Sequence, residues 1–230
     1  MRDSVLALRR FGLESSYPLI LAAFATWQSD GGKKAAKLFI KVTNWSIRAL
    51  FAGRLGGSVA EKAFSNAAKM VSEGKANNQD EVKSALASLM VEDPEFTTDF
   101  KRYGNVTVPR AKYLLAMLER AHRAKNGESI EGLPDWASRT VTIEHLMPRA
   151  EAKNDESKLG FAETLPNMAL LEKSLNRNLE DKPFVEKTSE YAKSAFRTTS
   201  ELASRESWTK DDVEKRMQEL ARLAPMAWPA

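Results

Sequence analysis

The sequence predicts a mainly α-helical protein, with a helical N-terminal region followed by a small two-stranded segment flanked by helices. Three observations carry this. Apolar residues recur at helical spacing through most of the first 130 residues. Two short runs, Arg139–His145 and Met168–Leu171, instead read as strands: the first alternates and is β-branched at Val141, Thr142 and Ile143. Between the two kinds of pattern lies 126–138 (NGESIEGLPDWAS), whose glycines, proline and acids mark a linker or long loop. Two domains follow, 1–130 and 131–230.

Leu19, Ile20, Ala23 and Phe24 define the apolar side of a first core helix, and Ala36, Phe39, Ile40, Val42, Trp45, Ile47, Leu50 and Phe51 continue a second. The glycines of GRLGG (53–57) interrupt the pattern. Ser58 then suits an N-cap for a helix through Met70, with Glu61 as capping-box partner. Asn77–Asp80 separates it from a helix near Glu81–Met90, a short helix opens at Asp93-Pro94, and another spans about Pro109–Lys125. Beyond the strand at 139–145 comes a polar loop from Arg149 to about Lys158. Two helices close the chain, about Pro183–Phe196 with proline at its start, and Thr209–Ala224, where Thr209 caps and Asp211-Asp212 suit the positive helix end.

Composition limits the function classes. The chain has 230 residues, 43% hydrophobic and 29% charged, enough for one good core or two small ones. It has no cysteine, which excludes disulfides and thiolate metal sites and points to a cytoplasmic home. The longest apolar stretch, YPLILAAFATW (17–27), is too short to span a bilayer, and the N-terminus has no signal-peptide pattern. Residues 1–130 hold 20 basic and 13 acidic side chains, residues 131–230 hold 15 and 18. A polyanion would be gripped mainly by the first part, although a solvated surface explains the same count.

The chemistry concentrates in VTIEHLMP (141–148). His145 is one of two histidines, stands directly after Glu144, and precedes Pro148 by three residues. Phosphodiester hydrolysis needs a base for water, positive charge at the phosphoryl oxygens and help for the leaving oxygen. A histidine titrating near neutrality suits the base. One Mg²⁺ or Mn²⁺ held by oxygen donors, here Glu144 and Asn176, suits the rest. Successive strand residues point to opposite faces, so Glu144 and His145 share a site only where the strand ends or bulges. Each residue also has an ordinary reading: a histidine at a strand end as a surface or hydrogen-bonding group, Asn167 and Asn176 as turn or cap residues, Arg149, Lys173 and Arg177 as solvated charges. From the residues alone a metal-assisted hydrolase follows, and no more.

The order TIEHLMP, LPNMALLEKSLNRNLEDKPFVEK, YAKS and a closing Trp-Pro (Trp228-Pro229) resembles the HNH-type nuclease domain of GmrSD-type modification-dependent restriction endonucleases, within the His-Me finger (ββα-metal) nucleases. The resemblance covers about 131–230, and the helical segment from Tyr17 to Leu115 is similar to the region that joins this nuclease to the rest of such proteins. It implies a ββα-metal (HNH) finger flanked by helices, with His145 activating water, Glu144 as the acidic metal ligand, Asn167 orienting the histidine loop, and Asn176 in or beside the metal shell. Lys187 matches a lysine after the family's Pro-Phe pair, a phosphate contact, and Arg149, Lys173 and Arg177 join it as candidate DNA contacts. Pro166 stands where the family has glycine and Ala169 where it has threonine. Proline fixes its own φ and lacks an N–H, so a differently shaped loop is expected there.

The implied protein is a metal-dependent DNA endonuclease or nickase, the effector of a prokaryotic antiviral or modification-dependent restriction system. Its partners would be DNA and an N-terminal nucleotide-hydrolysing sensor domain whose motif is not in this sequence. The chain therefore reads as a separately made C-terminal piece or a split gene product. Two alternatives stand beside it: a non-catalytic helical module that binds DNA or docks a partner, and a toxin-like nuclease with a neutralising partner.

Overall fold

A computed structural model describes residues 1–153 and 160–230. It is mainly helical, with one two-stranded sheet among the described residues. The remainder of the polar loop expected from Arg149 to Lys158 lies outside the described residues, while its first part, Arg149–Lys153, is a short helix. The chain forms two compact units, Met1–Phe100 with Trp228–Ala230, and Lys101–Ala227. The stretch at 126–138 thus lies inside the second unit.

The first unit contains α1 (Arg2–Phe11), α2 (Tyr17–Thr26), α3 (Lys33–Phe51), α4 (Ser58–Ser72), α5 (Gln79–Ala85) and most of α6 (Asp93–Lys101). Helix α1 ends at Gly12, whose φ of 67° is the left-handed conformation that glycine adopts without a Cβ penalty. Helix α2 buries Leu19, Ile20 and Ala23 and packs on α4, which buries Ala60, Phe64 and Ala67. Ser58 does not cap: it is the first residue of α4, behind Gly57, and no side chain closes that end. The effective cap lies at Asn78, whose Oδ1 accepts from the backbone N–H groups of Asp80 and Glu81 at 3.0 and 2.9 Å. This starts α5 at Gln79, earlier than the apolar pattern suggested. One buried cation ties the unit together. Arg48, 1% exposed, donates to the carbonyls of Val91 and Trp228 and to the Asp93 carboxylate, and lies over the Phe96 ring. The final Trp-Pro of the sequence is therefore a structural clasp of this unit.

The second unit is built on α7 (Val108–Lys125), with Pro109 in its first turn, where a missing N–H costs no helical bond. The stretch after it is pinned: Trp136 is buried edge-on to Tyr113, and Lys112 Nζ donates to the carbonyls of Ser138 and Val141. Strand β1 (Val141–His145) pairs antiparallel with β2 (Met168–Glu172) in a register running from Val141 opposite Glu172 to His145 opposite Met168. Arg149–Lys153 (α8) lies between the strands in sequence, and Lys173–Asn176 (α9) follows β2 directly. Both strands contact α7. Ala169 and Leu171 also join a core with Leu146, Leu179, Phe184, Tyr191 and Leu202.

The helix expected over 183–196 is shorter, α10 (Phe184–Tyr191), because the chain turns to form α11 (Arg197–Ser200). The cause is Glu119 on α7, 1% exposed. Its carboxylate accepts from the backbone N–H groups of Arg197 and Thr198, the Thr198 hydroxyl and Arg123 Nε. A buried carboxylate at this start overrides continued helix. The last helix, α12 (Lys210–Ala227), opens with a reciprocal bond pair between Thr209 and Asp212 and packs on α7. Because Glu119 leaves four donors unsatisfied when lost, Glu119→Ala is expected to destabilise the protein by about 3 kcal/mol, read as a lower urea midpoint; an unchanged midpoint would refute this role.

Candidate active site

The peptide after His145 is held by one amide. Asn167 is fully buried in a 3-10 turn (Leu165–Asn167) before β2, and every polar atom of its side chain is bonded. Its Oδ1 accepts from Met147 N–H at 2.9 Å and from the Trp208 indole N–H at 2.9 Å. Its Nδ2 donates to the carbonyls of Met147 (3.2 Å) and Ala162 (3.0 Å). Its own carbonyl accepts from Leu146 N–H. The loop leaving β1 is thereby fixed, and with it the direction of the His145 ring. Pro166, the departure from the family pattern, fits the turn, and its carbonyl accepts from Arg216 Nη1 at 2.8 Å.

His145 is 15% exposed and its Nε2 is buried without a hydrogen bond, 3.7 Å from Glu163 Oε2. Glu163 is held in turn by Arg149, Nε to Oε1 at 2.6 Å and Nη2 to Oε2 at 2.7 Å. Burial first, and then the Arg149 charge, push the His145 imidazole below the ordinary histidine value. The ring is therefore neutral at pH 7, the form able to take a proton. The hydrogen bond from Arg149 holds the Glu163 carboxyl below its usual range. Arg149, expected as a DNA contact, is half exposed and spends its guanidinium on Glu163.

Glu144 points the other way, because β1 stays regular to its end. It is 5% exposed, and its Oε1 accepts from Lys187 Nζ at 2.6 Å and from the Tyr191 hydroxyl at 3.2 Å. Lys187 also donates to the His145 carbonyl at 3.0 Å and is 1% exposed. Burial raises the Glu144 carboxyl against the opposing pull of Lys187, and burial also raises the Tyr191 phenol. The structure thus brings Glu144 to Lys187, away from His145, and gives Lys187 a carboxylate in place of a phosphate.

Asn176 closes α9 onto β1, its Nδ2 donating to Thr142 Oγ1 at 2.8 Å and, longer, to the Ile143 carbonyl at 3.4 Å. Lys173 and Arg177 are exposed and line one open pocket beside Thr140 and Glu172. As arranged, Glu144 and Asn176 do not fit a divalent ion. A lysine ammonium already sits on the carboxylate, and such an ion needs an unpaired anionic oxygen. Among the described residues no three His, Cys, Asp or Glu side chains gather at one point.

The family model of GmrSD restriction endonucleases, C-terminal domain, covers residues 90–223. The chain belongs to this family. Among curated proteins none matches it. Membership makes this GmrSD-family chain a restriction-endonuclease effector, with nuclease activity and DNA as the implied substrate. No helix among the described residues is long and apolar enough to cross a membrane.

Glu163 and the Thr142 hydroxyl had no role at the site in the sequence. Glu163 carries no spacing signal; it reaches His145 because its backbone carbonyl accepts from Val106 N–H and Thr164 bridges to Asn105. Tyr191 had a signal, the YAKS run, but no role until the fold supplied one. The Glu144–Lys187 pair makes a direct test. Glu144→Gln or Lys187→Met alone leaves a buried charge uncompensated and is expected to cost about 3–5 kcal/mol. The double variant should lose clearly less than the two singles together in urea denaturation, and strict additivity would exclude the pair as a stabilising unit.

Proposed function

We propose that this GmrSD-family chain is an HNH (His-Me finger) endonuclease that hydrolyses phosphodiester bonds of foreign or modified DNA, with His145 as general base. The single observation that carries the proposal is the placement of His145, at the end of β1 and followed by the loop that Asn167 holds, with Nε2 buried 3.7 Å from the Glu163 carboxylate. That carboxylate favours the tautomer with its proton on Nε2. Nδ1 then keeps a lone pair for the proton of a water whose oxygen attacks phosphorus, while the bond from phosphorus to the leaving ester oxygen breaks and that oxygen is protonated from solvent. The imidazolium formed in this step gains the Glu163 charge as partner.

The order β1, β2, α9 supports a ββα finger, with Asn176 bonding the helix to β1. Lys173 at the start of that helix and Arg177 just after its end carry exposed positive charge and are proposed to meet the DNA backbone. Glu144 and Lys187 act as a positioning pair, since Lys187 holds the His145 carbonyl from behind. A requirement for Mg²⁺ or Mn²⁺ is a separate readout, because Glu144 is not an open ligand in this arrangement.

The test is nicking of supercoiled plasmid in Mg²⁺, in Mn²⁺ and in EDTA. His145→Ala is expected to cut about 100-fold more slowly or worse, with DNA affinity retained. Equal cutting by both proteins would refute the base. Retained binding with no cutting in any condition by either protein would favour a non-catalytic DNA-binding module.

The pH profile has a definite sign. Cleavage needs neutral His145, so the rate falls as pH drops through its lowered pKa, and the plateau extends to the acid side of the ordinary histidine value, about 6.5. Arg149→Ala removes a cause of that lowering and should move the acid limb of kcat/KM to higher pH. Glu163→Gln removes a raising cause and should move it lower. Limbs that coincide in all three proteins would exclude His145 as the titrating group.

A further inference from the structure

A second polar centre lies apart from the histidine. Arg216 on α12 is 2% exposed, yet among the described residues its guanidinium makes no ion pair with a carboxylate, and Glu219 acts on it only from a distance. Nη1 donates to the Pro166 carbonyl, the Trp208 ring lies 5.8 Å away, and Nη2 is buried with no hydrogen-bond partner among the described residues. Arg216 lines a cavity of about 270 Å³ together with Lys125, Arg205 and Arg222. The acids at its wall are engaged elsewhere: Glu219 takes Arg205 at 2.9 and 3.0 Å, and Glu201 takes His122 at 3.0 Å. Lys125 and Arg222, both exposed, have no ion-pair partner among the described residues, so the lining carries four lysine and arginine cations against two carboxylates.

A buried guanidinium with an N–H left unbonded is costly unless an acceptor completes it, and an anion does so best. Burial, and then the neighbouring Arg205, lower the Arg216 guanidinium to about 9, which still leaves it charged at neutral pH. Guanidinium forks match the oxygens of phosphate, and lysine adds a point charge. The cavity is small for a nucleoside but ample for one tetrahedral oxyanion.

We propose that this cavity is a phosphate-binding site, with Arg216 at its base and Lys125 and Arg222 at its mouth. The phosphate comes either from a DNA strand or from a free phosphorylated small molecule. The site stands independently of the role given to His145.

Titration calorimetry with inorganic phosphate on the full chain is the test. The wild type is expected to bind, and His145→Ala to bind equally, which keeps a failure of this site distinct from a failure of the nuclease reading. Lys125→Ala/Arg222→Ala, confined to exposed side chains, should weaken binding about 10-fold or more, and Arg216→Met should abolish it. If Arg216→Met does not fold, the surface double variant decides alone. Duplex DNA that displaces phosphate, with a salt dependence of DNA affinity reduced by about two charges in the double variant, assigns the phosphate to the strand. Phosphate binding that DNA leaves untouched assigns it to a free ligand. No heat with phosphate, or heat unchanged in the double variant, overturns the site and leaves Arg216 as a structural brace for Pro166.

Discussion

The side chain of Asn167 is the constraint on which the candidate site depends. A buried amide has two donors and two acceptor positions, and each one left unpaired costs free energy on the order of a hydrogen bond or more. Here all are used, on Met147 twice, on Ala162 and on the Trp208 indole. Satisfying them together requires the residues after His145, the end of the segment before β2, and the approach to α12 to occupy one arrangement. The histidine is aimed by that arrangement more than by its own contacts, since its Nε2 makes no hydrogen bond. A second buried contact reinforces it from the opposite side, where Lys187 bonds both Glu144 and the His145 carbonyl.

The two faces of β1 divide the labour. Strand alternation sends Glu144 into the apolar core around Tyr191 and His145 toward Glu163 and Arg149. On the inner face a lysine neutralises the carboxylate, which is how a buried charge is tolerated. On the outer face the imidazole stays neutral because it is largely out of water and near Arg149, while Glu163 keeps a negative charge within reach of any proton it gains. The same alternation separates the two residues that the sequence set side by side, so adjacency along the chain became opposition across the sheet.

α12 links the two polar centres of the second unit. Its Arg216 holds the Pro166 carbonyl, one residue before the bracing asparagine, and lines the cationic cavity. Occupation of that cavity by an anion would act on the turn that orients the histidine loop through a single guanidinium. Pro166 suits this position, because the proline lacks an N–H to satisfy while its carbonyl stays available.

Much was legible in the sequence. Periodicity gave α2, α3, α7 and the final helix, and the β-branched run gave β1 and, through it, the placement of His145 at a strand end. His145, Asn167 and Asn176 pointed only to a metal-assisted hydrolase, and it took the longer runs around them, TIEHLMP, LPNMALLEKSLNRNLEDKPFVEK and YAKS, to point to the GmrSD family. Helix ends were less legible: Ser58 has the right chemistry for a cap, but Gly57 took the position, and 183–196 broke because Glu119, far away in sequence, captured the backbone of Arg197 and Thr198. Side-chain partners were not legible at all. Nothing local marks Glu163 as the neighbour of His145, or Lys187 as the partner of Glu144. Those pairings are fixed only when helices distant in sequence pack on the sheet, because desolvation then forces every buried charge to find its complement. The sequence by itself determined which groups could do the chemistry; the tertiary structure decided which of them meet.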